Sequence, residues 1–536
     1  IAAVLLLFLL LLLVFSIPSV QTRLGTYATT KINRSYGTDI RIEKAGLRFN
    51  GDVALKNIHI KDHHQANLIS VVELNTSIIS FSNIIHNRLT FGAIDLFGLN
   101  FNIKKYKGEI DSNLDIFVNK FEKEQPPTNQ NDFPLASVKD SGNNFQLSSS
   151  NVRVHTSDFL YIDENLNNPL VLDLHQLNLE ASDFLILGKN ITTSITSLSF
   201  EDSRGARLQN LETNFSYSLT QMMFTQLKIK SENSLISGQL QFDYDREDFE
   251  DFSDKVNVSG FFKNSKIDLE DLNMFYNEFG SNQKATLNTV FSGTLNRLIL
   301  KEFDLKTVHN TSVNGKFLFT NLFNSTPNTF EMDGDFKKIE STNNDLTALL
   351  PRVFGSRVPS NFESLGRFDM QGSAKISKNS VKTIMNIQTD IGMLFVDLNL
   401  DEIDDKNDTS YTAQVQFTDF DLGQLLGEPK IGLVSSNLSL EGRGFNNETI
   451  QSIVKGKFES FTFQEYSYAD LVVSGVVKNK IFKGQLTISD PNLNFSFDGL
   501  VDFSEKENSY DFSATIAHAN LYALNFIKSD SLSVVN

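Results

Sequence analysis

Apolar and polar residues alternate along most of this chain from Thr38 onward. In several stripes every second residue is apolar, as at Leu394, Val396, Leu398 and Leu400. Successive side chains of a strand point to opposite faces, so this period predicts strands with one apolar face. Turn-forming pairs such as Asn50-Gly51 and Asp498-Gly499 separate the stripes. The sequence therefore predicts a mainly β protein.

The apolar stripes of the C-terminal half supply the candidate functional residues. These are Phe317, Phe319, Leu394, Val396, Leu398, Leu400, Phe482, Leu486, Ile488, Leu493, Phe495 and Phe497. In a β-sandwich two such faces meet and close a core. Roughly 40 strands at a spacing of about 4.8 Å would instead form a very long sheet, and no covering helices are recognisable in the sequence. We therefore expect an elongated, curled, repeating sheet, a β-taco, whose apolar groove holds acyl chains and leaves headgroups in water.

The first eighteen residues predict a transmembrane anchor. Its apolar centre is Leu5, Leu6, Leu7, Phe8, Leu9, Leu10, Leu11, Leu12, Leu13, Val14 and Phe15. As a helix, the apolar run would be roughly 25 Å long at about 1.5 Å per residue, which nearly spans a bilayer. The alternative is a cleaved signal peptide, with residues 16–19 imitating the cleavage site. Under both interpretations the rest of the chain crosses a membrane. Because the chain begins with Ile, we expect a few preceding residues to be missing.

The remaining chain divides by pattern. A juxtamembrane helix is expected over 19–37, an N-terminal β unit over 38–121, and a polar loop or linker over 122–134. Residues 135–536 are expected to form β-groove modules that continue beyond the C-terminus. Leu272, Leu346 and Leu422 open short helical patterns 74 and 76 residues apart, and a fourth pattern begins near Leu521. This spacing predicts a repeat of about 75 residues, clearest over 268–450, with short helices between stacked modules. Coincidence in a β-rich sequence is the alternative.

The composition excludes several classes of function. The net charge is −17, and the sequence contains no basic stripe of the kind that nucleic-acid binding requires. With no cysteine, thiolate metal sites and cysteine nucleophiles are absent. No serine-nucleophile elbow, zinc-protease motif or phosphate-binding loop occurs in the sequence. We therefore expect no catalytic residues, no enzyme activity and no cofactor.

Two polar segments have the residue types of metal sites. His59, Asp62, His63 and His64 lie near one predicted turn. Such residues between strands are far more often solvated than ligating. The acidic segment Asp401 to Asp408 lacks the central glycine and terminal glutamate of a calcium loop. Both segments are interpreted as solvated turns, and no metal site is predicted.

Two stretches of the sequence resemble a known family. The segment from Ser19 to Lys107 begins SVQTRLGTYATTKINRSYGTDIRIEKAG, with a helix followed by a strand unit. The stretch YADLVVSGVVKNKIFKGQLTISDPNLNFSFDGLVDF, within Tyr468 to Phe526, is similar to the repeated strand and turn pattern of the AsmA/TamB family in Bacteroidota. The resemblance implies a repeating β-groove, an inner-membrane anchor, phospholipid transport to the outer membrane, and an outer-membrane BamA/TamA-type barrel as partner. TamB proteins are much longer, so we expect the N-terminal portion of a longer protein or a shorter relative.

Three functional hypotheses follow. The leading one is a bridge, anchored by one helix in the inner membrane of a Gram-negative bacterium, that carries phospholipid along a periplasmic groove and supports outer-membrane biogenesis. The second is an assembly factor whose exposed strand edge pairs with outer-membrane proteins, working with the barrel. The third is a closed-core envelope scaffold. Charges in the groove should stop the bridge, whereas prolines on the edge should stop the assembly factor.

Overall fold

A computed structural model shows a mainly β protein, as the sequence predicts. It describes residues 17–48, 51–78, 88–121, 146–165, 170–245, 248, 251–274, 278–322, 329–354, 360–403, 409–444, 450–504, 509–527, 529–530 and 532–535. The structure is 67% strand, with few helices. The anchor residues Leu5 to Phe15 and the 122–134 loop lie outside the described residues. Among the residues described, no helix is both long enough and apolar enough to cross a membrane.

The chain divides into two compact units, Ile1–Arg246 and Glu247–Asn536. The strands of the first unit are β1 (Asp39–Leu47), β2 (Asp52–Lys61), β3 (Asn67–Ile78), β4 (Arg88–Lys105), β5 (Gln146–Asp163), β6 (Leu170–Leu187), β7 (Asn190–Asp202), β8 (Arg207–Leu208), β9 (Asn210–Tyr217), β10 (Gln221–Lys230) and β11 (Leu235–Asp243). Its helices are α1 (Pro18–Tyr36) and α2 (Asn113–Asn119). Most neighbouring strands pair antiparallel, but β4 and β5 pair in parallel.

The second unit is an antiparallel meander. Its strands are β12 (Asn257–Asp268), β13 (Lys284–Thr294), β14 (Arg297–Thr307), β15 (Ser312–Thr320), β16 (Glu331–Thr342), β17 (Arg367–Ser377), β18 (Ser380–Thr389), β19 (Gly392–Asp401), β20 (Ser410–Asp421), β21 (Ile431–Arg443), β22 (Gln451–Phe463), β23 (Tyr466–Lys478), β24 (Ile481–Asp490), β25 (Leu493–Asp502), β26 (Ser509–Asn520) and β27 (Val534–Val535). Each strand from β12 to β26 pairs with the next along the chain. Such local pairing needs only short connections.

Short helical segments precede or connect some strands of this unit. They are α3 (Phe252–Lys255), a 3-10 helix (Leu269–Met274), α4 (Asn343–Leu349), α5 (Pro351–Phe354), a second 3-10 helix (Ser360–Leu365) and α6 (Leu422–Leu426). The helical segments after β12, β16 and β20 lie at the same end of the strands, because these three strands run in the same direction. Four strands separate the first segment from the second, and four separate the second from the third. Six strands precede the turn at Leu521, so the four-strand spacing does not extend there.

Helix α1 occupies the segment for which residue spacing predicts a helix. Pro18 stands in its first turn, and Gly37 ends it in the left-handed conformation at φ 64°. The helix lies along the outer edge of β1. The amide of Asn33 accepts the N–H of Ile40 and donates to its carbonyl, both at 2.8 Å. Gln21 makes the same pair of bonds with Leu47, accepting its N–H at 3.0 Å. The side-chain amides thus replace a neighbouring strand and cover the β1 edge.

Replacing both amides, Gln21→Ala with Asn33→Ala, should expose this edge. We expect the Ile40 and Leu47 amides to exchange hydrogen about fivefold faster, because each loses a bond worth about 1 kcal/mol. Hydrogen exchange of the full chain measures the effect. The control is Thr30→Ala, since the Thr30 hydroxyl bonds only within α1, to Thr26. Unchanged exchange at both amides would show that the helix does not protect the edge.

Candidate functional site

The strand register of the second unit brings apolar residues into one row across the sheet. Residues directly opposite in an antiparallel pair have their side chains on the same face. Starting from β12, successive opposite partners can be followed strand by strand to β26. The row is Gly260, Phe291, Leu300, Phe317, Gly334, Ala374, Thr383, Leu398, Ala413, Leu440, Val454, Gly475, Gly484, Gly499 and Phe512. Every member except Thr383 is apolar or glycine.

All twelve candidate residues lie on the face that this row defines, which we call the apolar face. Phe317 and Leu398 are members of the row. The others stand an even number of residues from a row member on strands β15, β19, β24 and β25. No register shift interrupts β19 in either of its pairings or the pairing of β24 with β25. The structure therefore brings together on one face stripes that are up to 180 residues apart in the sequence.

From β15 onward the opposite side of the same strands is mostly polar, and we call it the polar face. From β15 to β26, the residues next to the row members also lie opposite one another. They are Lys316, Asp335, Ser373, Ile384, Asp397, Gln414, Ser439, Lys455, Ser474, Gln485, Asp498 and Ser513. Side chains on this face hydrogen bond across strands, as Gln485 does to Asp498 at 3.0 Å. The sheet is thus amphipathic, with water on the polar face.

Ion pairs strengthen the polar face near β16 and β17. The Lys338 ammonium lies 2.8 Å from a Glu340 oxygen and 3.2 Å from an Asp369 oxygen. Its hydrogen bonds to Glu340 and then Asp369 raise the pKa of Lys338. Hydrogen bonding to Lys338 lowers the pKa of Glu340. Lys338 is exposed and both carboxylates are partly exposed, so the arrangement is that of a surface ion-pair network.

The apolar face is only partly covered. Of the twelve candidate residues, Phe317 (6% exposed) and Ile488 (8%) are buried, and the other ten are half-buried. At the last long strand, Phe512 on this face is 49% exposed. A sandwich core packed to crystal-like density would bury all of them. This exposure leaves part of the apolar surface accessible to solvent.

Glycines deepen the apolar face at β23 to β25. Gly475, Gly484 and Gly499 lie directly opposite one another on three adjacent strands. A Cβ at Gly484 would lie 2.4 Å from the Gly475 Cα, so only glycine fits there. The Phe482 ring covers Gly475, where an added Cβ would lie 2.6 Å from the ring. Because no register shift occurs in these pairings, the glycines mark a close approach of strands rather than a bulge.

One corner of the apolar face is closed by the turn after β26. Leu524 is 1% exposed and packs in a cluster with Tyr468, Leu471, Ile488 and Ala519. Burial, with a smaller contribution from the nearby charge of Asp490, raises the pKa of Tyr468. This corner supplies the rigid packing that the open part of the face lacks.

A cluster of two histidines and a glutamate lies in the first unit, whereas the apolar face belongs to the second. His63 and His64 follow β2, and both rings reach the carboxylate of Glu109, at 2.9 and 2.7 Å. His59 lies in β2 and is exposed. Sequence analysis missed Glu109, because 45 residues separate it from His64 and nothing local marks the contact. Of the acidic segment Asp401 to Asp408, residues 404–408 lie outside the described part of the chain.

No family model, curated protein or solved structure matches this chain.

Proposed function

We propose that this protein binds lipid on its apolar face and conducts it along the sheet. The observation that carries the proposal is the row from Gly260 to Phe512, apolar or glycine at every position except Thr383, on a face that remains partly accessible. A ligand for such a surface must itself be long and apolar. No charged residue occurs in the row, so nothing in it would hold a polar small molecule.

Phospholipid fits this surface better than a wholly apolar ligand. Each acyl methylene that leaves water contributes about 0.8 kcal/mol. The accessible side of the face lets a charged headgroup remain hydrated, which avoids the cost of burying it. Successive strands offer nearly equivalent apolar positions, so exchange from one position to the next would cost little. This is the property that a conducting groove requires.

The resemblance to the AsmA/TamB family supports the cellular setting of this proposal. On that basis the N-terminal apolar residues anchor the chain in the inner membrane, and the bulk of the chain lies in the periplasm. Phospholipid then moves towards the outer membrane, and an outer-membrane BamA/TamA-type barrel is the proposed protein partner. We propose neither an enzyme activity nor nucleic-acid binding for this protein.

A second candidate function is strand addition to other proteins, as an assembly factor would perform. Helix α1 covers the edge of β1, but the outer edge of β26 is paired, among the described residues, only at Ala519 and Asn520. Tyr510 and Phe512 on this strand are 56% and 49% exposed. An exposed edge with apolar side chains is a surface on which another strand can pair.

Photo-crosslinking distinguishes the two candidates. With p-benzoylphenylalanine at Leu398 on the apolar face, we expect crosslinks to phospholipid in cells, detected by phosphate labelling. The same probe at Asp397, the exposed neighbour on the polar face, should give none. Equal lipid labelling at both positions would contradict the bridge. A probe at Phe512 that captured protein, with no lipid at Leu398, would favour the assembly factor.

A further inference from the structure

The turn between β2 and β3 presents two adjacent histidines to one carboxylate. Asp62 begins the turn and is 3% exposed. One of its oxygens accepts the backbone N–H groups of His64 and Ala66, both at 2.9 Å. Its other oxygen accepts the Tyr106 hydroxyl at 2.7 Å and the Asn113 amide at 3.1 Å. Asp62 therefore fixes the turn against the segment that follows β4.

The same contacts set the positions of the two imidazole rings. The ring centroids of His63 and His64 are 4.4 Å apart, and the His64 ring lies 4.1 Å from that of Tyr106. Both Nε2 atoms point at Glu109. The two nitrogens and the Glu109 oxygen lie within 4.8 Å of one another. Three potential ligand atoms thus converge from two segments that are distant in sequence.

We propose that His63, His64 and Glu109 bind a divalent transition-metal ion, with Zn²⁺ the best fit. Two imidazoles and one carboxylate are a common ligand set for zinc, with water as the fourth ligand. Tetrahedral ligands at about 2.0 to 2.1 Å from zinc stand about 3.4 Å apart. The observed nitrogen–oxygen separations of 2.9 and 2.7 Å, each to a different oxygen of Glu109, are shorter than this by about 0.5 and 0.7 Å, a difference that rotation of the side chains can supply. All three side chains are partly exposed, so an ion can enter.

A bound ion would link the β2–β3 turn to the segment after β4. Glu109 is itself held there, since its carbonyl accepts the Asn165 amide at 3.0 Å. The ion would replace two hydrogen bonds with metal–ligand bonds and so stabilise this part of the first unit. This inference is independent of the lipid proposal.

Zinc binding to the purified, chelator-treated full chain tests the inference. We expect one Zn²⁺ per chain by calorimetry, and visible absorption of tetrahedral Co²⁺ when cobalt is substituted. His64→Gln and Glu109→Gln should each weaken zinc binding at least tenfold. Zinc should raise the melting temperature of the unaltered protein but not of these two variants.

His175→Gln is the matched control. This histidine also lies beside two carboxylates, Asp158 at 3.1 Å and Asp173 at 3.2 Å, elsewhere in the first unit. Its replacement should leave zinc affinity unchanged. Absence of stoichiometric binding, or equal affinity in the His64→Gln, Glu109→Gln and unaltered chains, would overturn the inference. Loss of binding in His175→Gln alone would place the metal elsewhere and overturn it as well.

Discussion

Aspartate at Val415 and Phe497 together should strongly reduce the lipid held on the apolar face. Both residues lie on this face and are half-buried, on β20 and β25. Each change removes apolar contact worth about 1.5 to 3 kcal/mol and places a carboxylate against the acyl chain. Since 1.4 kcal/mol is a factor of ten, lipid affinity beside each altered residue should fall at least tenfold, which lowers the lipid recovered per mole of protein. Phosphate analysis of lipid extracted from the purified full chain measures this.

The matched control moves each charge by one residue. Gln416 and Ser496 are the exposed neighbours of Val415 and Phe497 on the polar face. Gln416→Asp with Ser496→Asp adds the same two charges to the same strands but should leave lipid content unchanged. Circular dichroism of both double variants verifies that they are folded. Equal lipid content in the two folded variants would mean that lipid is held elsewhere.

Gly484→Ala should strongly destabilise the second unit. The added methyl group would lie 2.4 Å from both the Gly475 Cα and the Ser474 carbonyl oxygen. Those atoms are backbone, so no rotamer change relieves the contact, and the paired strands must separate. We expect a loss of about 3 kcal/mol or more in the free energy of unfolding, at the high end for overpacking. Chemical denaturation, followed by circular dichroism, measures it.

Gly46→Ala is the control for this prediction. Gly46 also lies in a strand, β1, but the nearest atom to an added Cβ, the Ala54 carbonyl oxygen, is 3.7 Å away. That is ordinary van der Waals contact, so the substitution should change stability by less than about 0.5 kcal/mol. If Gly484→Ala changed the free energy of unfolding as little as Gly46→Ala, β23 and β24 would not approach as closely at Gly484 as described.

The period-two pattern predicts the strands, but which strand faces lie on the same side of the sheet depends on the register, which the sequence does not show. The stripe at Leu394 to Leu400 shares one face because β19 is regular, with no register shift in its pairings. Other strands are irregular, and sequence does not reveal where. Asp419, for example, adopts φ 45° inside β20, where the register shifts. Such bulges bend a strand and change which residues face inward.

Long-range contacts were beyond sequence reasoning. A helix is predicted near Pro18 to Tyr36 from spacing, but nothing in that spacing shows that Gln21 and Asn33 bond the edge of β1. The same holds for Glu109, which meets His63 and His64 only after β2, β3 and β4 have paired. The fold class was therefore readable from local patterns, whereas edge protection and polar clusters depend on how the strands are brought together.

Native mass spectrometry of the unaltered full chain, released gently from membranes, tests the central claim most directly. If the apolar face holds lipid, the spectrum should contain protein with added masses of phospholipid, and fragmentation should release ions of phospholipid mass. Several adducts per chain would agree with a row of nearly equivalent positions. A folded chain that carries no lipid, under conditions where a control membrane protein retains its own, would contradict the account.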